Sequence, residues 1–122
     1  MEAFGMFGQL LIGLFFVFMA YYNYTNRDHF QESLKTKHIK LRVPMWVLGV
    51  AILLELLGGI GLVFHLFQEL SALYLILFTI VVSFWLHPFW RLKGREFWKH
   101  LHICASNLAI IGGLLLILFM YS

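Results

Sequence analysis

Residues 43–68 read VPMWVLGVAILLELLGGIGLVFHLFQ, and this stretch decides the fold. Its only Asp, Glu, Lys or Arg is Glu55. About 20 apolar residues in a helix cover the ~30 Å of hydrocarbon in a bilayer, so the run is long enough to span. Ile52-Leu53-Leu54 is apolar on every side, whereas a strand of a membrane barrel alternates apolar and polar positions. Lipid offers no partner to a backbone N–H or C=O, so such a run satisfies its polar groups only as a helix.

Three further runs share this character: 3–26, 70–90 and 100–122, the last containing Leu114-Leu115-Leu116-Ile117. The chain of 122 residues is 61% hydrophobic and 12% charged, with a mean hydropathy of +0.84. A soluble domain carries roughly a quarter charged residues, so this composition excludes a water-facing globule. The expected fold is an all-α, four-transmembrane-helix bundle. A single domain over 1–122 is expected, with helices near 4–22, 45–65, 70–87 and 100–121.

All nine Lys and Arg fall in two connections. Arg27, Lys35, Lys37, Lys40 and Arg42 lie between the first and second helices, and Arg91, Lys93, Arg95 and Lys99 between the third and fourth. Positive loops stay in the cytoplasm during insertion. Both termini are therefore expected outside and both basic loops inside, in a bacterial inner membrane. The +3 charge is explained by this distribution, with lipid headgroups as the anionic neighbours and no nucleic acid. The N-terminal run lacks a positive n-region and is too long for a signal peptide, so it reads as a retained helix.

The polar stretch from Thr25 to Pro44 is too long for a hairpin turn. Thr25-x-x-Asp28 resembles a capping box, and Phe30 and Leu34 are spaced to share a helical face. Either a short helix among the headgroups or an irregular loop fits. Pro44 suits the first turn of the second membrane helix.

Small and polar residues mark helix contacts in lipid, where close backbone approach supplies the packing. Gly5, Gln9, Gly13, Ala20 and Asn23 form one stripe on the first helix. Ala51, Glu55, Gly58, Gly59 and Leu62 share a face of the second, and Ala105, Ala109 and Gly113 form a strip on the fourth. Phe15, Phe16 and Phe18 are left for lipid or for other subunits.

An acid in mid-membrane is a functional hypothesis by default. Glu55 is either a proton-carrying or ligand-binding carboxyl, or a neutral clamp hydrogen-bonded to another helix. Depth makes Thr79 its first expected partner, with Gln9 and Asn107 nearer the two ends. The histidines lie toward the helix ends: His29 and His38 in the first basic connection, His65 at the far end of the second helix, His87, His100 and His102 beside Trp85, Trp90 and Trp98. His100 and His102 point to opposite sides of a helix, and the set reads as an interfacial belt rather than a metal or haem site. Cys104 is the single cysteine and reads as a small apolar residue. No HExxH, glycine-rich phosphate loop or Ser-His-Asp set is present, so no complete enzyme is visible.

Glu55-Leu56-Leu57-Gly58-Gly59-Ile60-Gly61-Leu62 resembles the second-helix signature of the DoxX-like membrane proteins: Glu, two apolar residues, Gly-Gly, two residues and Leu. Val43-Pro44 is similar to the Val-Pro before that helix. The stretch from His100 to Leu116, containing Asn107-Leu108-Ala109-Ile110-Ile111-Gly112-Gly113-Leu114-Leu115-Leu116, is similar to the family's fourth helix. A lysine often follows the first helix's small residue in that family, whereas this chain reads Ala20-Tyr21-Tyr22-Asn23. The resemblance implies a small, non-catalytic membrane subunit that anchors or services a redox complex, with a quinone contact as the implied cofactor. The alternative class is an assembly factor or partner-binding protein without a redox role; a small transporter is weaker because few polar residues line the helices. The lone cysteine disfavours the dithiol-maturation relatives. Expected partners are the lipid bilayer and other membrane or redox subunits, or further copies of the chain.

Overall fold

A computed structural model of the chain describes residues 2–34, 44–87 and 89–121. It is an all-α bundle: α1 (Glu2–Thr25), α2 (Arg27–Leu34), α3 (Met45–Val63), α4 (Gln68–Leu86) and α5 (Gly94–Tyr121), with a 3₁₀ turn at Phe89–Arg91 before α5. Four of these helices, all but α2, are long and apolar enough to span a membrane. α1 packs on α3, α3 on α4 and α4 on α5, while the α1–α5 contact is slighter. Gly5 of α1 faces Met120 of α5, which places both ends of the chain at one end of the bundle. Arg27, Arg91, Lys93, Arg95 and Lys99 mark the opposite, basic end; Lys35, Lys37, His38, Lys40 and Arg42 lie outside the described residues.

The first two membrane helices meet through glycine. A Cβ on Gly59 would stand 2.8 Å from the Gly13 carbonyl oxygen and 2.9 Å from the Val17 nitrogen, and one on Gly13 would stand 2.9 Å from the Gly59 oxygen. Backbone against backbone leaves no room for any side chain. Gly58, next along α3, faces Leu75 of α4 instead, its absent Cβ 2.7 Å from Leu75 Cδ2. The consecutive pair thus seats α3 between two neighbours.

Two expected faces, a cap and a helix start are corrected. Ala109 is exposed, as are Ala105 and Gly112, because α5 turns a different stripe inward: His100, Ile103, Asn107, Ile110, Leu114 and Ile117. Ala109 is two residues from Asn107 and so lies on nearly the opposite side of the helix. Gly113 does touch α1, through Ile12. Phe16 is buried in the core rather than left to lipid, since its position continues the Gly13–Ala20 stripe. The capping box does not form either. The Thr25 hydroxyl donates back to the carbonyls of Tyr21 and Tyr22 at the end of α1, and after one turn residue the chain enters the short helix α2. α5 begins at Gly94 rather than near His100, because charged residues beyond the hydrocarbon can continue a helix into water.

α3 ends in a Schellman arrangement: Leu66 N–H donates to Gly61 O at 2.7 Å around a left-handed His65, φ 57°, at the position where glycine is usual. Gln9 of α1 completes this terminus. Its Nε2 donates to Leu62 O at 2.9 Å and lies 3.2 Å from His65 Nδ1, satisfying a carbonyl for which lipid has no donor.

Candidate functional site

Two apolar clusters close the bundle at different depths. Phe16, Leu62, Ala72, Leu75, Ile76, Leu114 and Ile117 pack toward the terminal end. Leu48 and Leu92, with Phe30, Val82 and Phe97 against them, pack at the basic end. Between the clusters lies a cavity of about 480 Å³, within the range of small-molecule sites. α1 and α5 meet near the terminal end, where Gly5 faces Met120 and Gly113 faces Ile12; toward the basic end both helices line the cavity. Phe15 and Tyr22 of α1 and Lys99 of α5 line it and are also exposed. The cavity therefore reaches the surface of the bundle between α1 and α5.

By area its walls are mostly apolar, and polar side chains from all five helices stand among them. Glu55 is buried, and its Oε1 accepts a hydrogen bond from Asn23 Nδ2 at 3.1 Å. The partner is thus Asn23 of α1, not Thr79. Depth alone favoured Thr79, but the Gly13–Gly59 contact makes α1 the close neighbour of α3. In addition, both side chains lean toward their own helix N-termini, hence toward each other in an antiparallel pair. Thr79 also lines the cavity, 5% exposed, and its hydroxyl has no hydrogen-bond partner. Asn107 lines the cavity as well and donates to Ser83 Oγ at 2.9 Å. Glu55, Thr79 and Asn107 are thus brought to one site. Gln9 is not, being held at the α3 terminus.

Sequence reasoning placed Asn23 on the right stripe without assigning it a role, and it missed a histidine pair. His87, after α4, and His100, buried on α5, meet Nδ1 to Nδ1 at 2.9 Å. His102 is exposed, whereas these two turn inward instead of joining an interfacial belt. The available signal was the α5 stripe: His100 is seven residues from Asn107, so the two share a face. Cys104 is half-buried beside this pair, its Sγ 3.6 Å from His87 O. Among the described residues, no three His, Cys, Asp or Glu side chains converge in a metal-binding arrangement.

The family model DoxX matches residues 5–88, more than half of the chain and all of its first three membrane helices. The chain belongs to the DoxX family. Comparison with curated proteins and with solved structures finds no match. The matched region of this DoxX protein includes Asn23, Glu55, the Gly58-Gly59 pair, Thr79 and His87. It stops before α5, so the fourth-helix resemblance around Asn107–Leu116 lies outside it, and so do Asn107, His100 and Glu96. Four of the helices that line the cavity therefore come from the family-matched part and one, α5, from beyond it.

Proposed function

We propose that this DoxX protein is a non-catalytic integral membrane subunit that services a quinone-linked redox complex by holding a quinone headgroup in the cavity. The observation that carries this reading is the Thr79 hydroxyl. Buried polar groups are almost always paired, and a threonine inside a helix can bond back to the carbonyl four residues earlier. A buried hydroxyl that does neither, on a residue that lines a mostly apolar cavity, suits a hydrophobic ligand whose carbonyl draws the side chain toward it. A quinone is such a ligand. The Glu55–Asn23 pair frames the site by tying α3 to α1.

Thr79→Val tests this directly, because valine has nearly the same shape and lacks the unpaired hydroxyl. Thermal stability should stay level or rise, since an unsatisfied buried group is removed. Affinity for decylubiquinone in nanodiscs should fall about 5- to 10-fold, the equivalent of one hydrogen bond of about 1 kcal/mol. Unchanged affinity would overturn the assignment. Purification without crosslinker supplies the second arm. A stoichiometric redox enzyme is expected to accompany the chain, whereas a client protein without redox groups would favour the assembly-factor class.

The reading places the basic end in the cytoplasm of a bacterial inner membrane. The exposed Trp46, Trp85, Trp90 and Trp98 flank that end as an interfacial belt. An alkaline phosphatase fused after Ser122 should be active outside, and one inserted between Lys35 and Lys40 should be silent. The reverse pattern would invert the orientation.

A further inference from the structure

The ring nitrogens of His87 and His100 face each other at 2.9 Å, close enough for a hydrogen bond. One Nδ1 must then carry the proton and the other accept it. On its other side, His100 Nε2 stands 3.6 Å from Glu96 Oε2, one turn back on α5. That gap is closed by a small rotamer change or a bridging water. The Glu96 side chain is 41% exposed whereas that of His100 is 7% exposed, so this line of groups runs from solvent at the basic end into the protein. Glu96, His100 and His87 all line the cavity that holds Thr79 and Glu55. The other charged or titratable side chains on its walls are Tyr22 of α1, Arg27 and His29 of α2 and Lys99 of α5.

We propose that Glu96, His100 and His87 form a proton-transfer chain between water at the basic end and a ligand in the cavity. The proposal rests on the quinone reading. At the start His100 Nδ1–H donates to His87 Nδ1, His87 carries its remaining proton on Nε2, and the Glu96 carboxylate stands between His100 Nε2 and water. When a ligand oxygen gains electrons from an external reductant, the His87 Nε2–H bond breaks as the ligand O–H bond forms. The His100 proton moves to His87 Nδ1, and Glu96 takes a proton from water and passes it to His100 Nε2, ending as the carboxylate it began as. One proton has entered the ligand and one has left the water. Both rings end as the opposite neutral tautomer, and each turns over before a second proton follows. Imidazole suits this role because it is the only side chain with both a donor and an acceptor nitrogen on opposite edges of one ring. Reduction of a quinone to a quinol takes up two electrons and two protons, so a cavity buried in the membrane needs such a supply.

The test uses full-length protein in nanodiscs loaded with decylubiquinone, with dithionite as the electron source and stopped-flow absorbance as the readout. Positioned acid–base groups contribute about 10²–10⁴-fold to proton transfer. His100→Ala should therefore slow reduction at least ~10-fold per quinone bound, with the amount bound measured separately and divided out. Added imidazole should restore the rate in that variant and leave the wild-type rate alone. His100→Gln, which keeps a hydrogen-bonding side chain but cannot pass a proton through a ring, should be slowed equally and guards against a folding defect. A wild-type rate in either variant, or slowing that imidazole does not relieve, would overturn the chain. Failure of wild-type protein to retain decylubiquinone above empty nanodiscs would overturn the quinone reading itself, and this proposal with it.

Discussion

Gly59→Leu is expected to yield no folded protein. The position meets the Gly13 carbonyl and the Val17 nitrogen of α1, each within 3 Å of where a Cβ would sit. These are backbone atoms and cannot rotate away. Overpacking a core ordinarily costs about 1–3 kcal/mol; here α1 and α3 must separate along their whole contact, which also parts Asn23 from Glu55. Gly112→Leu is the control, since nothing lies within 4 Å of a Cβ built there and its side chain would meet lipid. Fluorescence-detected gel filtration in detergent should show Gly112→Leu as a wild-type peak and Gly59→Leu as aggregate. A Gly59→Leu protein that elutes and melts like wild type would remove the glycine contact from the account.

The Glu55 series carries the second largest effect. Glu55→Gln keeps a carbonyl oxygen to accept from Asn23 Nδ2, so it should fold, melt near the wild-type temperature and retain decylubiquinone. Glu55→Leu leaves the Asn23 amide unpaired beside the cavity. Losing one partner of a buried hydrogen bond costs about 1–3 kcal/mol, and lipid offers no substitute donor or acceptor. This variant should melt well below wild type and lose the quinone. A Glu55→Gln variant that folds yet loses the quinone would show that the carboxyl itself serves the ligand and is not a clamp.

The four spans were legible because hydrocarbon permits few alternatives. A long run without charges must be a helix, and Arg27 to Arg42 and Arg91 to Lys99 separate the runs. The α1 and α3 faces were legible for a related reason, as Gly13 and Gly59 permit an approach that no larger residue allows. What sequence left open was which helices become neighbours and in what register. Thr79 was chosen for its depth, yet Glu55 pairs with Asn23 because the glycine contact brings α1 to α3. Ala109 was chosen for its small size, yet a small residue facing lipid loses little, whereas Asn107 facing lipid would be unsatisfied. The polar residue decides the face of α5, and it carries His100 inward with it. His87 lies past the end of α4, where helical periodicity says nothing about direction, so its meeting with His100 appears only in three dimensions.

The account stands on the cavity between α1 and α5 being a quinone site, and photolabelling with an azidoquinone reports its position most directly. Nanodisc-embedded protein is illuminated with the probe, digested and mapped by mass spectrometry, with and without excess decylubiquinone. Labels should fall on cavity-lining residues such as Phe16, Phe78, Thr79 and Ile103, and the excess quinone should suppress them. Labels confined to lipid-facing residues such as Leu108, Leu116 and Phe119, and insensitive to competitor, would contradict the account.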